Sequence, residues 1–183
     1  MAGAHGGVPG VNRATHLLDA VLNVLAEHGI GALSVRTVAA AAGVSPAQVQ
    51  YYYRTKNDLV RAGFEYAGEQ FLAEIEAAQP KSIAGFVELW LPLDEARARR
   101  ARVWLAYAAA AVVDPVLRKE NANLDRELRQ WCVEAGLSED LAAQVLAMID
   151  GVTLQCLSLP MADRQALADR TIGAFLAALP GQM

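Results

Sequence analysis

The chain has 183 residues, of which 54% are hydrophobic and 20% charged, with a formal net charge of −4. That length supports one or two compact domains with a real core, and the weight of alanine and leucine favours helix. No run of about 18 uninterrupted apolar residues reads as a membrane span, no stretch alternates as strands do, and the net acidity excludes a broad basic field as the source of any affinity for nucleic acid.

The opening stretch, MAGAHGGVPG, is Gly-rich and lacks the apolar segment of a signal peptide. It reads as a flexible arm over residues 1–10, with His5 as its one basic-capable side chain. Leu17, Leu18, Val21, Leu22 and Leu25 then form the apolar stripe of a first helix. Gly29 stops that helix and Ile30 packs back across its end. His16 and His28 have nothing nearby to complete a metal site, and His28 suits the negative end of a helix dipole. No metal or cofactor is expected.

Residues 34–59, SVRTVAAAAGVSPAQVQYYYRTKNDL, are the most informative segment. Ser34 caps a short helix whose apolar positions are Val35, Val38, Ala39 and Ala42. Gly43 takes the left-handed conformation that ends it. Ser45 starts another helix, with Gln48 three residues on completing a capping box and Pro46 at the first helical position. Thr55 with Asp58 repeats the cap signal. Two short helices therefore meet at a sharp corner, the arrangement that sets the second in a major groove of DNA. Val49 and Tyr53 share the inner face of that second helix. Ala47, Gln48, Gln50, Tyr51 and Tyr52 lie outside, where Gln bonds adenine edges and Tyr reaches phosphates.

In its spacing and residue types together, LLDAVLNVLAEHGIGALSVRTVAAAAGVSPAQVQYYYRTKNDLV resembles the N-terminal domain of the TetR (tetracycline repressor) family. The shared pattern is a long first helix, a capped second helix, a Gly-Val-Ser turn, a short Tyr-rich helix and a Lys opening the fourth. Gln50, where many members carry Tyr, is similar to a subgroup that includes repressors of betaine synthesis. The resemblance implies an all-α fold of about nine helices. A three-helix DNA-binding domain over residues 11–60 precedes a helical effector-binding and dimerisation domain over residues 61–183. It implies base contacts from Gln48, Gln50, Tyr51 and Ala47, and phosphate contacts from Arg36, Thr37, Ser45, Tyr52 and Lys56. It further implies a cytoplasmic, nucleoid-associated homodimeric repressor on a palindromic double-stranded operator, released by a small-molecule effector. A regulator without ligand response and a helical small-molecule carrier remain as alternatives. Charge agrees in sign: residues 1–60 carry Arg13, Arg36, Arg54 and Lys56 against Asp19, Glu27 and Asp58, so the acidic excess lies in the rest of the chain.

The fourth helix runs from Lys56 to Ala78 and is ended by Pro80. Five more follow by their punctuation: one from Ser82 to Pro92, one opened by Asp94 and Glu95 and reaching Val113, and one opened by Asp114-Pro115 and ending near Gly136. Ser138 opens a long apolar helix to Leu159, and Asp163 opens the last. The long helix is apolar almost all round, broken by Asp150-Gly151, and so buries more than one side. With the last helix it is expected, by the resemblance, to form a dimer interface through Leu146, Ile149, Gly151, Leu154, Ile172, Phe175 and Leu176.

Phe86, Trp90, Trp104, Tyr107, Met148 and Gln155 are the candidates for a ligand pocket, suited to an apolar or aromatic effector; each also reads as core packing. Arg97, Arg99, Arg100 and Arg102 read as a solvated face, or else as an anion site. Enzyme chemistry is not expected: the three histidines lie within the first 28 residues, and no nucleophile–base spacing or phosphate loop occurs. Cys132 and Cys156 read as buried and reduced, with redox sensing as the alternative.

Overall fold

The computed structural model describes residues 9–178, and these are helical with no strand among them. The helices are α1 (Pro9–His28), α2 (Val35–Ala42), α3 (Pro46–Tyr52), α4 (Lys56–Ala78), α5 (Ile83–Trp90), α6 (Glu95–Val113), α7 (Pro115–Glu134), α8 (Glu139–Leu157) and α9 (Met161–Ala168). α9 continues through a π-helical turn, Asp169–Gly173, into α10 (Ala174–Ala177). The chain forms two compact units, the first reaching Gln70 and the second starting at Phe71, and α4 contributes residues to both.

Local chemistry sets most helix ends. Ser34, Ser45, Ser82, Asp94, Asp114 and Ser138 each cap the helix that follows, accepting a backbone N–H with the side-chain oxygen. Thr55 and Asp58 exchange reciprocal bonds of 2.9 and 3.1 Å at the start of α4. Gly43 ends α2 at φ +64°. Three details differ from the sequence expectation. α1 already begins at Pro9, inside the stretch read as an arm, while residues 1–8 lie outside the described residues. α8 stops at Leu157. The last helix starts at Met161, because Pro160, with φ fixed at −53°, takes the cap position itself; its π turn carries Thr171, whose hydroxyl donates to the Leu167 carbonyl at 2.7 Å.

The first unit buries Val21 and Leu25 of α1, Leu33, Val38 of α2, Val49 of α3 and Leu59 of α4 almost completely, each contributing roughly 1.5–3 kcal/mol. Two polar contacts add to this packing: His16 Nε2 lies 2.9 Å from the Ala42 carbonyl oxygen, and the Tyr66 hydroxyl donates to Asp19 Oδ1 at 2.8 Å.

In the second unit α5, α7, α8, α9 and the π-helical turn after it share a core that includes Phe86, Trp90, Cys132, Val145, Ile149, Cys156, Ala168 and Ile172. By length and composition α8 is apolar enough to cross a membrane, although charge interrupts its sequence. Ala142, Val145, Ile149, Val152 and Cys156 pack one face into the core, while Leu154 stands 56% exposed. This corrects the expected dimer face: Leu146, Ile149, Ile172 and Leu176 are buried in the chain's own core. The helical period of 3.6 turns Gly151 and Leu154 away from them, and Phe175 is partly buried.

Three arginines of the run on α6 are engaged within the chain and are neither a solvated face nor an open anion site. Arg97 pairs with Asp94 at 2.7 Å and donates to the Glu88 carbonyl; Arg102 pairs with Glu95. Arg100 pairs with Glu74 of α4, donates to the Leu89 carbonyl of α5 and lies 4.9 Å from the centre of the Phe71 ring. Burial pushes its pKa down to about 10, which leaves it charged at neutral pH. Arg100→Met strands Glu74 and the Leu89 carbonyl, and is expected to destabilise by about 2–4 kcal/mol in urea unfolding. Arg102→Met, at an exposed pair, is expected to change stability by less than about 1 kcal/mol in the same measurement.

Candidate functional site

α3 presents its outer face to solvent because Val49 anchors the opposite side in the core. Tyr51 is 82% exposed, and Ala47, Gln48 and Gln50 are exposed beside it. Tyr51 and Tyr52 meet edge to face at 5.1 Å, and Tyr53 turns inward as the C-cap, half-buried, its pKa raised by burial and by Tyr52. Several groups on this surface are already committed. The Gln48 side-chain oxygen accepts the Ser45 N–H at 3.1 Å, and Ser45 Oγ accepts the Gln48 N–H at 3.3 Å, which leaves the Gln48 NH₂ to serve outward. The Thr37 hydroxyl sits 2.9 Å from the Ser34 N–H and 2.8 Å from the Ala32 carbonyl oxygen, closing a capping box at the start of α2. Its role in that cap was not legible, because threonine is not the usual third member of the motif. The Lys56 ammonium has a single long contact, 3.5 Å, to the Gly31 carbonyl, at the outer limit of a hydrogen bond. Arg36, Gln50, Tyr51, Tyr52 and Lys56 are thus the exposed groups best placed to bond base edges and phosphates.

The second unit contains a cleft of about 40 Å³, large enough for a few waters or one small ligand group. Its walls are Trp90 of α5 and Trp104 of α6, set edge to face with centroids 5.8 Å apart. Leu128, Leu146 and Ile149 supply apolar surface, and Asn121, Asp125 and Asp150 supply polar groups. Trp90 also packs edge to face on Phe71 of α4 at 4.5 Å. The Asn121 side-chain oxygen is buried without a hydrogen-bond partner among the described residues, so the cleft has an unused acceptor. Asp125 is held by Arg129, 2.8 Å away on the same helix. Asp150 keeps contact with solvent, yet burial by the surrounding protein and the Asp125 charge raise its pKa, opposed by a hydrogen bond from Trp104.

Of the six residues expected around a ligand, Trp90 and Trp104 line this cleft. Phe86 is fully buried, its ring 4.4 Å from that of Trp131, and Tyr107 is fully buried, its pKa raised by desolvation. Met148 packs against the core and Gln155 is exposed on α8. Sequence reasoning passed over Asn121, Asp125 and Asp150. The available signal was Asp150 itself, the one charged residue in an otherwise apolar stretch of α8. Both cysteines are buried; burial pushes the Cys132 thiol up to about 11 and raises that of Cys156, which disfavours the thiolate that redox sensing needs.

Comparison with known proteins places these features. Residues 17–62 match bacterial regulatory proteins of the tetR family, and residues 81–181 match the C-terminal domain of BetI-type transcriptional repressors. The chain is 31% identical over 158 residues to the HTH-type transcriptional regulator BetI of Proteus mirabilis (strain HI4320), covering 78% of this chain and 79% of that one. Its fold is similar to that of a transcriptional regulator from Rhodococcus sp. Rha1, with a TM-score of 0.75 and 30% identity over 89% of this chain and 95% of that chain. It is also similar to the multidrug binding protein EbrR complexed with ethidium, with a TM-score of 0.64 and 28% identity, over 85% and 96% of the two chains.

The raised Asp150 pKa has a consequence for stability. The folded protein binds this proton more tightly than the unfolded chain does. The associated stability is therefore fully present below the unfolded carboxylate value of about 4 and is lost as pH rises through the folded value. Asp150→Asn is expected to be at least as stable as the parent at neutral pH, with the gap closing on acidification; thermal melts across pH read this directly.

Proposed function

Since the chain belongs to the tetR family of bacterial regulatory proteins, with a C-terminal domain of the BetI repressor type, we propose that it is a homodimeric repressor whose operator binding is released by a small organic cation. Residues 11–60 form the DNA-binding domain in this reading, and residues 61–183 hold the effector and the dimer interface. α3 enters the major groove with Gln48, Gln50, Tyr51 and Ala47 at base edges. Arg36, Ser45, Tyr52 and Lys56 take phosphates, with Thr37 joining them only by giving up its bond to Ala32. One seven-residue helix reads few base pairs, so two copies on a palindromic site supply the rest of the specificity.

Dimerisation through the outer face of α8 is supported by the mismatch between its composition and its burial: the helix is apolar nearly all round, but only part of it is covered within the chain. Gly151 on the outward side admits a close approach by a partner helix, and Leu154 and Phe175 supply apolar area.

The observation that carries the effector assignment is the Trp90–Trp104 pair closing on two carboxylates, with no lysine or arginine in the cleft wall. Tryptophan faces and acids together attract an organic cation, and this favours a cation over the purely apolar effector that composition suggests. Ethidium, bound by the related EbrR, is itself an aromatic cation. The unpartnered Asn121 oxygen offers an acceptor for a donor on the same ligand.

Titrating tetramethylammonium, choline and ethidium into the full chain should quench tryptophan fluorescence and release a band-shifted fragment of its own upstream DNA. Trp104→Ala is expected to weaken that binding by about tenfold or more. Specific DNA binding that no cation affects would leave a regulator without this effector, and no specific shift at low salt would overturn the DNA reading.

The two kinds of DNA contact separate by mutation. Lys56→Ala is expected to weaken matched and mismatched sites alike and to lower the salt slope by about one, whereas Gln50→Ala relaxes choice at one position by about 1–3 kcal/mol. Binding isotherms on both kinds of site at several salt concentrations make the distinction; equal behaviour of the two variants would refute the division of roles.

A further inference from the structure

We propose that Asp150 is the residue that selects the charge of the effector, and that an organic cation and a proton compete for its carboxylate. The assignment rests on the cation reading of the cleft and adds a chemical step to it.

The two acids of the cleft are not equivalent. Asp125 is bound by Arg129 through contacts of 2.8 and 3.3 Å, an exposed pair within α7 that leaves its charge felt across the cleft. Asp150 has no basic partner among the described residues; its polar contact is the Trp104 indole N–H. None of the residues lining the cleft is basic. α8 carries no lysine or arginine, and its other acids, Glu139 and Asp140, stand at its first turn. From α7 the cleft receives Asp125 and the uncharged Asn121; from α6 it receives Trp104, beyond which that helix has no charged residue; from α5 it receives Trp90. An ionised Asp150 therefore faces a second carboxylate across a partly desolvated cleft, and a proton or an organic cation relieves the same repulsion. Burial and Asp125 both strengthen its hold on a proton, in keeping with this competition. The exchange is balanced: the carboxylic acid and the cation give a carboxylate–cation pair, and one proton passes to solvent.

The test is calorimetric titration of the full-length protein with tetramethylammonium from about pH 8 down to the ordinary carboxylate range at about pH 4, in two buffers of different ionisation enthalpy. Affinity is expected to hold at the alkaline end and to fall on acidification towards tenfold per pH unit, with proton release rising towards one per cation. Asp150→Asn should bind at least about tenfold more weakly at neutral pH and show no pH dependence. Asp125→Asn should keep the pH dependence but move it to lower pH, since the neighbouring charge is gone. A flat wild-type profile without proton release, or an Asp150→Asn variant that keeps its affinity, overturns this assignment and leaves the cation reading standing. If tetramethylammonium binds at no pH, the cation reading fails and the assignment fails with it.

Discussion

The architecture of the second unit turns on Arg100. From α6 it reaches the Glu74 carboxylate and the Phe71 ring at the end of α4, together with a main-chain carbonyl of α5. A largely buried guanidinium is tolerable only when its donors are satisfied, so this residue places three helices at once. Phe71 is thereby set to receive Trp90, and Trp90 to face Trp104. The cleft wall is an extension of that stack. Lysine, with a point charge and no planar fork, would not make the same set of contacts.

α8 shows how one helix serves opposing demands. Its inner face supplies core, its outer face carries apolar surface that is not covered within the chain, and Asp150 interrupts both. A carboxylate placed beside Asp125 and partly out of water works against stability at neutral pH. Unfavourable placements of this kind concentrate at sites where a ligand relieves them. The buried, unpartnered Asn121 oxygen on the facing helix follows the same logic.

The first unit is built the other way, with few unmet groups. Its caps are closed by reciprocal bonds at Ser34, Ser45 and Thr55, and its polar surface is amide and phenol more than ammonium. With four basic residues against three acidic ones in the first sixty, affinity for a phosphate backbone rests on placed contacts more than on a field. The residues that look free in sequence are not equally free: Thr37 and Gln48 spend hydrogen-bonding capacity on the turns that hold α2 and α3, while Gln50 and Tyr51 spend none that the structure shows.

Helix ends, the sharp corner between α2 and α3 and the outer face of α3 were legible in the residues, because caps, left-handed glycines and prolines act within about four residues of where they stand. Family kinship was legible there for the same reason. What the residues could not reveal is which side of an apolar helix meets the core. Leu146, Ile149, Ile172 and Leu176 differ from Leu154 in nothing local, and only packing decided that the first four turn inward. The cleft is of this kind too: Trp90, Trp104, Asn121, Asp125 and Asp150 come from four helices spread over sixty residues. The sequence by itself determined the helices and the exposed face of α3, through short-range hydrogen bonds and backbone preferences; tertiary structure alone decided the buried faces and the charge lining the cleft, because those depend on neighbours that the chain brings together only by folding.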